Sequence, residues 1–331
     1  MNRARWGLLS TANINRRVIP AIRASKEGEL TAVASRDQSK AENYARTWNI
    51  PRAYGSYQEM LDSGAIDAVY ISLPNHLHAE WTIRALESGV HVLCEKPFAI
   101  TLPEVDAMIA ASQKNGRCLA EAFMYRHHPQ TKIAGDFIRQ GNLGELSHTW
   151  GTFSFPLDRR PDVRISPEMG GGSLWDVGVY PLSLAQYFFG APPIAVFGSQ
   201  WIGESGVDET FAGELCFAGN RFAQISSSFR TPVFTHFEAI GTAGRLSLNR
   251  PFTQMDEARQ LVFYPKDGEP VELPVPEQEL YVGEIEDLNN AILHGAPTYI
   301  TLAETRDHIR TALALYRSAQ TGRTVELSSI A

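Results

Sequence analysis

Two short stretches of the chain carry residue types that can do chemistry. The first is Glu95-Lys96-Pro97, which follows the largely apolar run Val90-His91-Val92-Leu93-Cys94. That run is the pattern of a buried strand. Pro97 cannot donate to a sheet and biases Lys96 away from helical geometry. An ammonium group is therefore expected just past the carboxyl end of a strand, the edge at which open α/β sheets bind ligands. The second stretch is Gly170-Gly171-Gly172, which leads into a helix predicted over residues 173–189. Asp176 and Tyr180 are four apart, so they share a face of that helix beside the glycine loop. The glycines let backbone come close to a ligand or another chain. Taken singly, each stretch also has an ordinary reading: a surface lysine, a flexible loop, a solvent-facing Asp and a half-buried Tyr. The surrounding elements decide between them.

The first half alternates strands and helices. Strands are predicted over residues 5–9, 30–34, 68–73, 90–94 and 118–122. Helices are predicted over 15–24, 39–48, 57–62, 76–87 and 102–115. Asn75 is expected to cap the helix at 76–87, and Gly89 and Gly116 stop their helices. This rhythm means a parallel, doubly wound sheet. In the second half, strand-like runs cover 145–155, 195–202, 210–217, 221–228, 238–241, 245–249, 260–264 and 271–273. Turn signals such as Ala218-Gly219-Asn220 separate them. Two helices, 281–293 and 302–321, close the chain, with Thr301 as an N-cap and Gly322 as a stop.

At 331 residues, two domains are expected. A net charge of -7, with no basic stretch interleaved with aromatics, argues against nucleic acid as partner. No apolar run is long enough to span a membrane. The N-terminus runs straight into a strand pattern without the features of a signal peptide. Cys94, Cys118 and Cys216 are odd in number and far apart, which argues against a disulfide framework or zinc cluster and fits a reducing cytoplasm.

The first strand-to-helix turn bears on the ligand. Dinucleotide-binding sheets usually place Gly-x-Gly-x-x-Gly there, so that backbone reaches the pyrophosphate at a helix N-terminus. Here the turn reads Gly7-Leu8-Leu9-Ser10-Thr11-Ala12-Asn13-Ile14. Ser10 and Ala12 are small enough to keep close approach, and Ser10, Thr11 and Asn13 add donors for phosphate. A tight turn with no ligand is the alternative. At the tip of the second strand, NAD sites carry an acidic residue for the ribose, and NADP sites a cation for the 2′-phosphate. The tip reads Ser35-Arg36. A guanidinium grips phosphate bidentately and stacks on adenine. NADP(H) is therefore favoured, while Asp37 keeps NAD(H) open.

In its motifs the chain resembles the Gfo/Idh/MocA oxidoreductases over nearly its whole length. The resemblance rests on the divergent turn 7–14, on Leu73-Pro74-Asn75-x-x-His78, on Glu95-Lys96-Pro97 and on Glu121-Ala122-Phe123-Met124-Tyr125-Arg126. It rests as well on the run from Gly170 to Tyr180. Tyr180 stands where many members carry His, which matches the sugar and dihydrodiol dehydrogenase branch. The resemblance implies a Rossmann domain, residues 1–123, followed by an α/β substrate and dimerisation domain, residues 124–331. The second domain is expected on a large, open, mainly antiparallel sheet, with the last helices able to pack back on the first domain. Helices would cover one face of that sheet and a second subunit the other, giving a homodimer or a dimer of dimers. For the cofactor it implies contacts from Ser10, Thr11, Ala12, Asn13, Ile14, Ser35, Arg36, Leu73, Pro74, Asn75, His78, Glu95 and Lys96.

The chemistry then needs a group that exchanges a proton with the substrate oxygen while hydride moves to or from the nicotinamide. A free tyrosine titrates near pH ~10, too high for a base at neutral pH. A nearby cation favours the phenolate. Tyr180 is expected as the acid/base, Lys96 as the cation beside it, and Asp176 as the group that orients Lys96 or a sugar hydroxyl. The alternative, in which Lys96 passes the proton and Tyr180 positions the substrate, stays open. Further substrate contacts are expected from Tyr125, Arg126, Phe155 and Arg164. No metal site is expected, because His127 and His128 are adjacent and have no further ligand at suitable spacing. The expected activity is an NADP-dependent dehydrogenase or reductase acting on a sugar or polyol. The alternatives are a trans-dihydrodiol dehydrogenase and a non-catalytic NADP-binding sensor on the same fold. Retention of Lys96, Asp176 and Tyr180 favours an enzyme.

Overall fold

The protein is described from a computed structural model over residues 3–158, 162–253 and 259–330. The chain divides into two units, one formed by residues 1–127 with 281–306 and the other by 128–280 with 307–331.

The first unit begins with β1 (Ala4–Leu9), α1 (Asn15–Ala24), β2 (Gly28–Ala34), α2 (Gln38–Trp48), β3 (Arg52–Tyr54) and α3 (Tyr57–Asp62). It continues through β4 (Ala68–Ile71), α4 (His78–Glu87), β5 (His91–Glu95), α5 (Leu102–Asn115), β6 (Leu119–Ala122) and the short α6 (Met124–His127). The six strands pair in the order β3-β2-β1-β4-β5-β6, and every pair is parallel. β1, β4 and β5 are largely buried because helices cover both faces of such a sheet. Strand order reverses between β1 and β4, the place where open sheets leave a crevice at the carboxyl edge.

The second unit starts with α7 (Pro129–Arg139), β7 (Leu146–Ser154) and α8 (Val179–Phe189). Next come β8 (Ala195–Ile202), β9 (Asp208–Phe217), β10 (Arg221–Ser228), β11 (Phe234–Gly241), β12 (Gly244–Asn249), β13 (Leu261–Pro265) and β14 (Val271–Glu272). α9 (Val282–His294) belongs to the first unit, where Trp6 donates to Asn289 through its indole nitrogen at 2.9 Å. α10 (Leu302–Thr321) and β15 (Val325–Glu326) end the chain, with Thr301 accepting from the Glu304 amide as the N-cap of α10. The nine strands run β14-β13-β12-β11-β7-β10-β9-β8-β15. Among the described residues of this sheet, only β7 and β10 pair in parallel; the other pairs are antiparallel.

α8 and α10 lie against one face of this sheet. Glycines permit the close approach: a Cβ on Gly151 would come within 2.8 Å of Pro181, and one on Gly198 within 2.6 Å of the Leu315 carbonyl. The alternate positions on the strands face the other way. Trp150, Phe197, Trp201, Phe222 and Phe234 are all exposed there, and the Arg230 guanidinium stacks over Trp201 at 3.8 Å. No helix among the described residues is long and apolar enough to cross a membrane.

Two local expectations are corrected. The helix expected over 76–87 begins with a 3-10 turn at Asn75–Leu77, so Asn75 does not cap α4, which starts at His78. The helix expected over 173–189 begins with a π-helical turn at Leu174–Gly178, and α8 proper starts at Val179. A pattern read at 3.6 residues per turn does not register a one-turn widening. α7 carried a signal that went unused: His128 caps it by accepting from the Gln130 amide, and Pro129 stands at the first helical position.

Candidate active site

Because the strands of the first unit are parallel, the segments that follow their carboxyl ends collect on one edge. These are Ser10–Ile14 after β1, Ser35-Arg36 after β2, Leu73–His78 after β4, Glu95-Lys96 after β5, and Tyr125-Arg126 after β6.

Ser10 has φ +133°, a backbone region that favours glycine. Side-chain bonds hold it there. Its hydroxyl lies 2.9 Å from the Ser72 hydroxyl and 3.1 Å from the Ser72 carbonyl, and it accepts from the Ala12 amide at 3.1 Å. The buried Asn15 amide donates to the Ser10 carbonyl, and Asn15 accepts from the Ser72 hydroxyl, both at 2.8 Å. So Ser10, expected as a donor to phosphate, spends its hydroxyl joining the ends of β1 and β4. Among the described residues, the Thr11, Asn13 and Ile14 amides carry no hydrogen bond. Small side chains, outward amides and the start of α1 fit the pyrophosphate of a dinucleotide.

At the end of β2, Ser35 is buried and Arg36 exposed, with the guanidinium reaching the Tyr57 hydroxyl. The Asp37 carboxylate turns back to cap α2, accepting from the Ser39 hydroxyl at 2.7 Å and the Lys40 amide at 2.9 Å. Those donors hold its carboxyl below the ordinary value. The acidic residue that kept NAD(H) open is thus committed to a helix cap, leaving Arg36 as the charged side chain at this tip.

Leu73 is nearly buried, and Pro74 and Asn75 are partly exposed. His78 is fully buried, with one ring nitrogen 2.8 Å from the Pro97 carbonyl and the other 2.8 Å from the Leu73 carbonyl. Burial lowers its pKa. In place of a ligand contact, this ring joins the turns after β4 and β5. The Lys96–Pro97 peptide is cis. Glu95 accepts from the Tyr70 hydroxyl and, at 3.2 Å, from the Lys96 amide, so it braces the lysine's backbone from behind. Burial first, and then the Glu95 charge, push the Tyr70 phenol well above its ordinary value, which keeps it a donor.

Tyr125 and Arg126, expected as substrate contacts, are placed inside. Arg126 is 1% exposed and its guanidinium is 2.7 Å from the Glu304 carboxylate. Tyr125 is fully buried against the edge of Phe123. His127 packs on Tyr299, and His128 is the cap of α7.

In the second unit, the loop before α8 folds back on itself. The Gly171 amide donates to the Ser166 carbonyl and the Gly172 amide to the Arg164 carbonyl, each at 2.9 Å. Arg164 donates from Nε to Asp176 at 2.8 Å and from Nη1 to both oxygens of Asp162 at 3.3 Å. Chiefly the Asp176 charge holds the Arg164 guanidinium in its protonated form. Arg164 also lies 5.9 Å above the Phe155 ring. Tyr180 is 5% exposed, with its ring edge-on to Phe153 at 5.3 Å and against Phe252 at 5.7 Å. Asp176, Arg164 and Phe155 therefore form one connected group, and Tyr180 stands on the next turn in an aromatic wall. The arrangement presents a phenol, an arginine between two carboxylates and an aromatic face, groups suited to hydroxyls and C–H surfaces.

Sequence reasoning missed several residues of this architecture: Asn15 and Ser72 behind the first turn, and Asp162, Ser173, Asp208 and Tyr316 around the second. Asp208 is 2% exposed and accepts from the Ser173 hydroxyl, the Leu174 amide and the Tyr316 hydroxyl. It lies 35 residues beyond Ser173 and 34 beyond Leu174, and no spacing motif marks it.

Comparison with known proteins agrees with this geometry. Residues 4–123 match the model for an oxidoreductase family with an NAD-binding Rossmann fold, and 132–247 match the GFO/IDH/MocA C-terminal domain. The chain is 39% identical over 324 residues to D-xylose 1-dehydrogenase (NADP(+)) 2 of Haloferax volcanii, covering 97% of this chain and 99% of that one. An aldose-aldose oxidoreductase from Caulobacter crescentus superposes with a TM-score of 0.91 at 26% identity, covering 98% of this chain and 100% of the other. A 3-ketoreductase from Actinomadura kijaniata, solved with NADP and TDP-benzene, superposes at 0.89 with 30% identity, covering 96% and 98%. That reductase has also been solved with one tyrosine replaced by phenylalanine and with one lysine replaced by alanine or by glutamate. With both halves matched in order, this chain belongs to the GFO/IDH/MocA family of oxidoreductases.

Proposed function

We propose that this protein is an NADP-dependent oxidoreductase that moves a hydride between the nicotinamide and a carbon bearing a hydroxyl or carbonyl on a sugar or polyol. The observation that carries the reading is the sequence spacing of Lys96 and Tyr180. The tyrosine and lysine substituted in the Actinomadura kijaniata reductase lie as far apart in that chain as Tyr180 and Lys96 do in this one. Exposed Arg36, with Asp37 withdrawn into a helix cap, supports the 2′-phosphate form of the cofactor.

Bound NADP(H) supplies the hydride acceptor or donor. The amides of Thr11, Asn13 and Ile14 hold the pyrophosphate, Ser35 and Arg36 the adenosine ribose phosphate, and Leu73, Pro74 and Asn75 line the crevice at the strand reversal. Ala12 keeps the turn small. Glu95 and His78 act from behind by fixing the backbone on either side. During oxidation Tyr180 takes the hydroxyl proton as the C–H bond is lost; during reduction it returns that proton to the carbonyl oxygen. Lys96 stabilises the charge that develops on the same oxygen. Asp176, held by Arg164, receives a neighbouring hydroxyl, and Phe155 faces the C–H surface of the ring. The Asp162–Arg164–Asp176 set is polar, which suits a polyhydroxylated substrate better than an aromatic dihydrodiol.

We also infer that the aromatic face of the nine-stranded sheet is covered by a second copy of the chain, giving a homodimer or a dimer of dimers. Exposed Trp150, Phe197, Trp201, Phe222 and Phe234 on one face support this. Sedimentation velocity of Trp201→Glu tests it: dissociation of the wild-type oligomer is expected, and an unchanged sedimentation coefficient contradicts it.

The experiment for the main reading is a fluorescence titration of the apo protein with NADPH and NADH, followed by a turnover screen of aldoses, polyols and keto-sugars. Tighter NADPH binding with turnover of a pentose or hexose is expected. Tight binding without turnover of any sugar would favour a sensor, and a preference for NADH would remove the role given to Arg36.

A further inference from the structure

We propose that Asp208 is the positioning residue that fixes the register of the π-helical turn and thereby aims Asp176 relative to Tyr180. This rests on the functional reading above, because it concerns how the proton-transfer group is held. Three donors converge on the one carboxylate. Oδ2 accepts from the Leu174 amide at 2.8 Å and the Ser173 hydroxyl at 2.9 Å, and Oδ1 accepts from the Tyr316 hydroxyl at 2.8 Å. Leu174 is the first residue of the π turn. Its amide is one that a helix start leaves without an intrahelical partner, so the carboxylate serves as a cap supplied from a distant strand. Ser173 is tied a second time, 3.0 Å from the Ser227 hydroxyl on β10.

The glycine loop is shaped around the same carboxylate. Gly172 has φ +128°, and a Cβ there would overlap Asp208 Oδ1 and come within 2.7 Å of the Tyr316 hydroxyl. Its amide donates to the Arg164 carbonyl, and the Gly172 carbonyl accepts from the Asp176 amide at 3.0 Å. Asp208 thus fixes the start of the turn. The packing of α8 fixes its end, because ten of the eleven α8 residues are buried. Between two fixed ends the chain accommodates one more residue per turn than an α-helix holds. Release at Asp208 would let the turn relax to α geometry. Relaxation by one residue rotates the preceding segment by about 100° relative to α8. Asp176 would leave Arg164 and turn away from Tyr180, which stays with α8 against Phe153 and Phe252. A plain packing residue would not couple these two side chains; a carboxylate at the turn's first amide does.

The test uses the full chain with Asp208→Asn and Tyr316→Phe. Asn keeps the shape but turns one acceptor into a donor, while Phe removes a single donor. The expected result for Asp208→Asn is a kcat lower by about tenfold to a hundredfold, the scale of a misplaced reacting group. NADPH Kd should stay within about twofold, and the pH profile of kcat should shift. Tyr316→Phe should give the same shift with a smaller loss. Fluorotyrosine placed at position 180 supplies a readout that needs no substrate: its fluorine resonance should move and titrate differently in both variants. If Asp208→Asn fails to fold, Tyr316→Phe decides alone. A lowered Tm with unchanged kcat, pH profile and fluorine signal would overturn the proposal. If the wild type turns over no sugar, the functional reading fails, while the fluorine signal still decides the positioning role.

Discussion

The turn after β1 and the loop before α8 use glycine in opposite ways. The first lacks the glycines that a dinucleotide turn normally carries, yet Ser10 still adopts a glycine-like φ of +133°. The second has three in succession, with positive φ at Gly170 and Gly172. Both are held from behind by buried polar groups: Ser10–Ser72–Asn15 in one, Ser173–Asp208–Tyr316 in the other. Glycine gives permission for a conformation, and hydrogen bonds behind the turn select it. A turn can therefore keep its function after losing its glycine if a buried side chain replaces the lost freedom with a specific bond.

The two regions are also assigned different tasks, one holding the cofactor and the other moving a proton. Perturbing each should leave the other intact. Apart from the acid/base itself, the largest effect is expected from Lys96→Met, which keeps length and removes charge: kcat should fall by ~10²–10³ with NADPH Kd changed far less, read by steady-state kinetics beside fluorescence titration. Equal losses in both would merge the two tasks. Arg36→Ala should weaken NADPH by about tenfold to a hundredfold, the scale of lost charge-assisted bonds, while NADH affinity and kcat at saturation hold. Loss of NADH affinity as well would mean that Arg36 serves the whole nucleotide.

A smaller effect concerns acid. His91 in the first unit and His128 in the second are each lowered by burial to a pKa of about 4. The unfolded imidazole takes a proton near its ordinary 6.5, while the folded one stays neutral. Their stabilising contribution is thus complete above about pH 6.5 and is lost as pH falls through about 4. Calorimetric Tm should decline over that window. His91→Gln should flatten part of the decline, and an unflattened curve would remove His91 from the account. The smallest effect is expected from Asp37→Ala, which removes a helix cap: a slight fall in Tm with NADPH and NADH affinities unchanged. A selective loss of NADH would show the carboxylate at the ribose after all.

Much of this was legible in the sequence. Alternating apolar runs and helical periods placed the parallel sheet, and α1, α3, α5 and α10 begin and end where the pattern says. Lys96, Asp176 and Tyr180 stood out because charge or a phenol near Pro or Gly is a local signal, and Arg36 because it stands at the tip of a strand. What escaped was non-local. Asp208 supports a loop far upstream of it, and Ser72 meets Ser10 across a strand pair, so no window of sequence contains either contact. Arg126 read as a polar lining residue because Glu304, which answers its charge, lies 178 residues away. The π turn escaped for a geometric reason: one extra residue per turn leaves no mark in an apolar helix whose every face is covered.

The most direct test is single-turnover hydride transfer in Tyr180→Phe saturated with NADP, with NADPH Kd measured on the same preparation. The account predicts a transfer rate lower by ~10²–10⁴ with Kd unchanged, the mark of a proton-transfer group acting apart from cofactor binding. A wild-type transfer rate would contradict it.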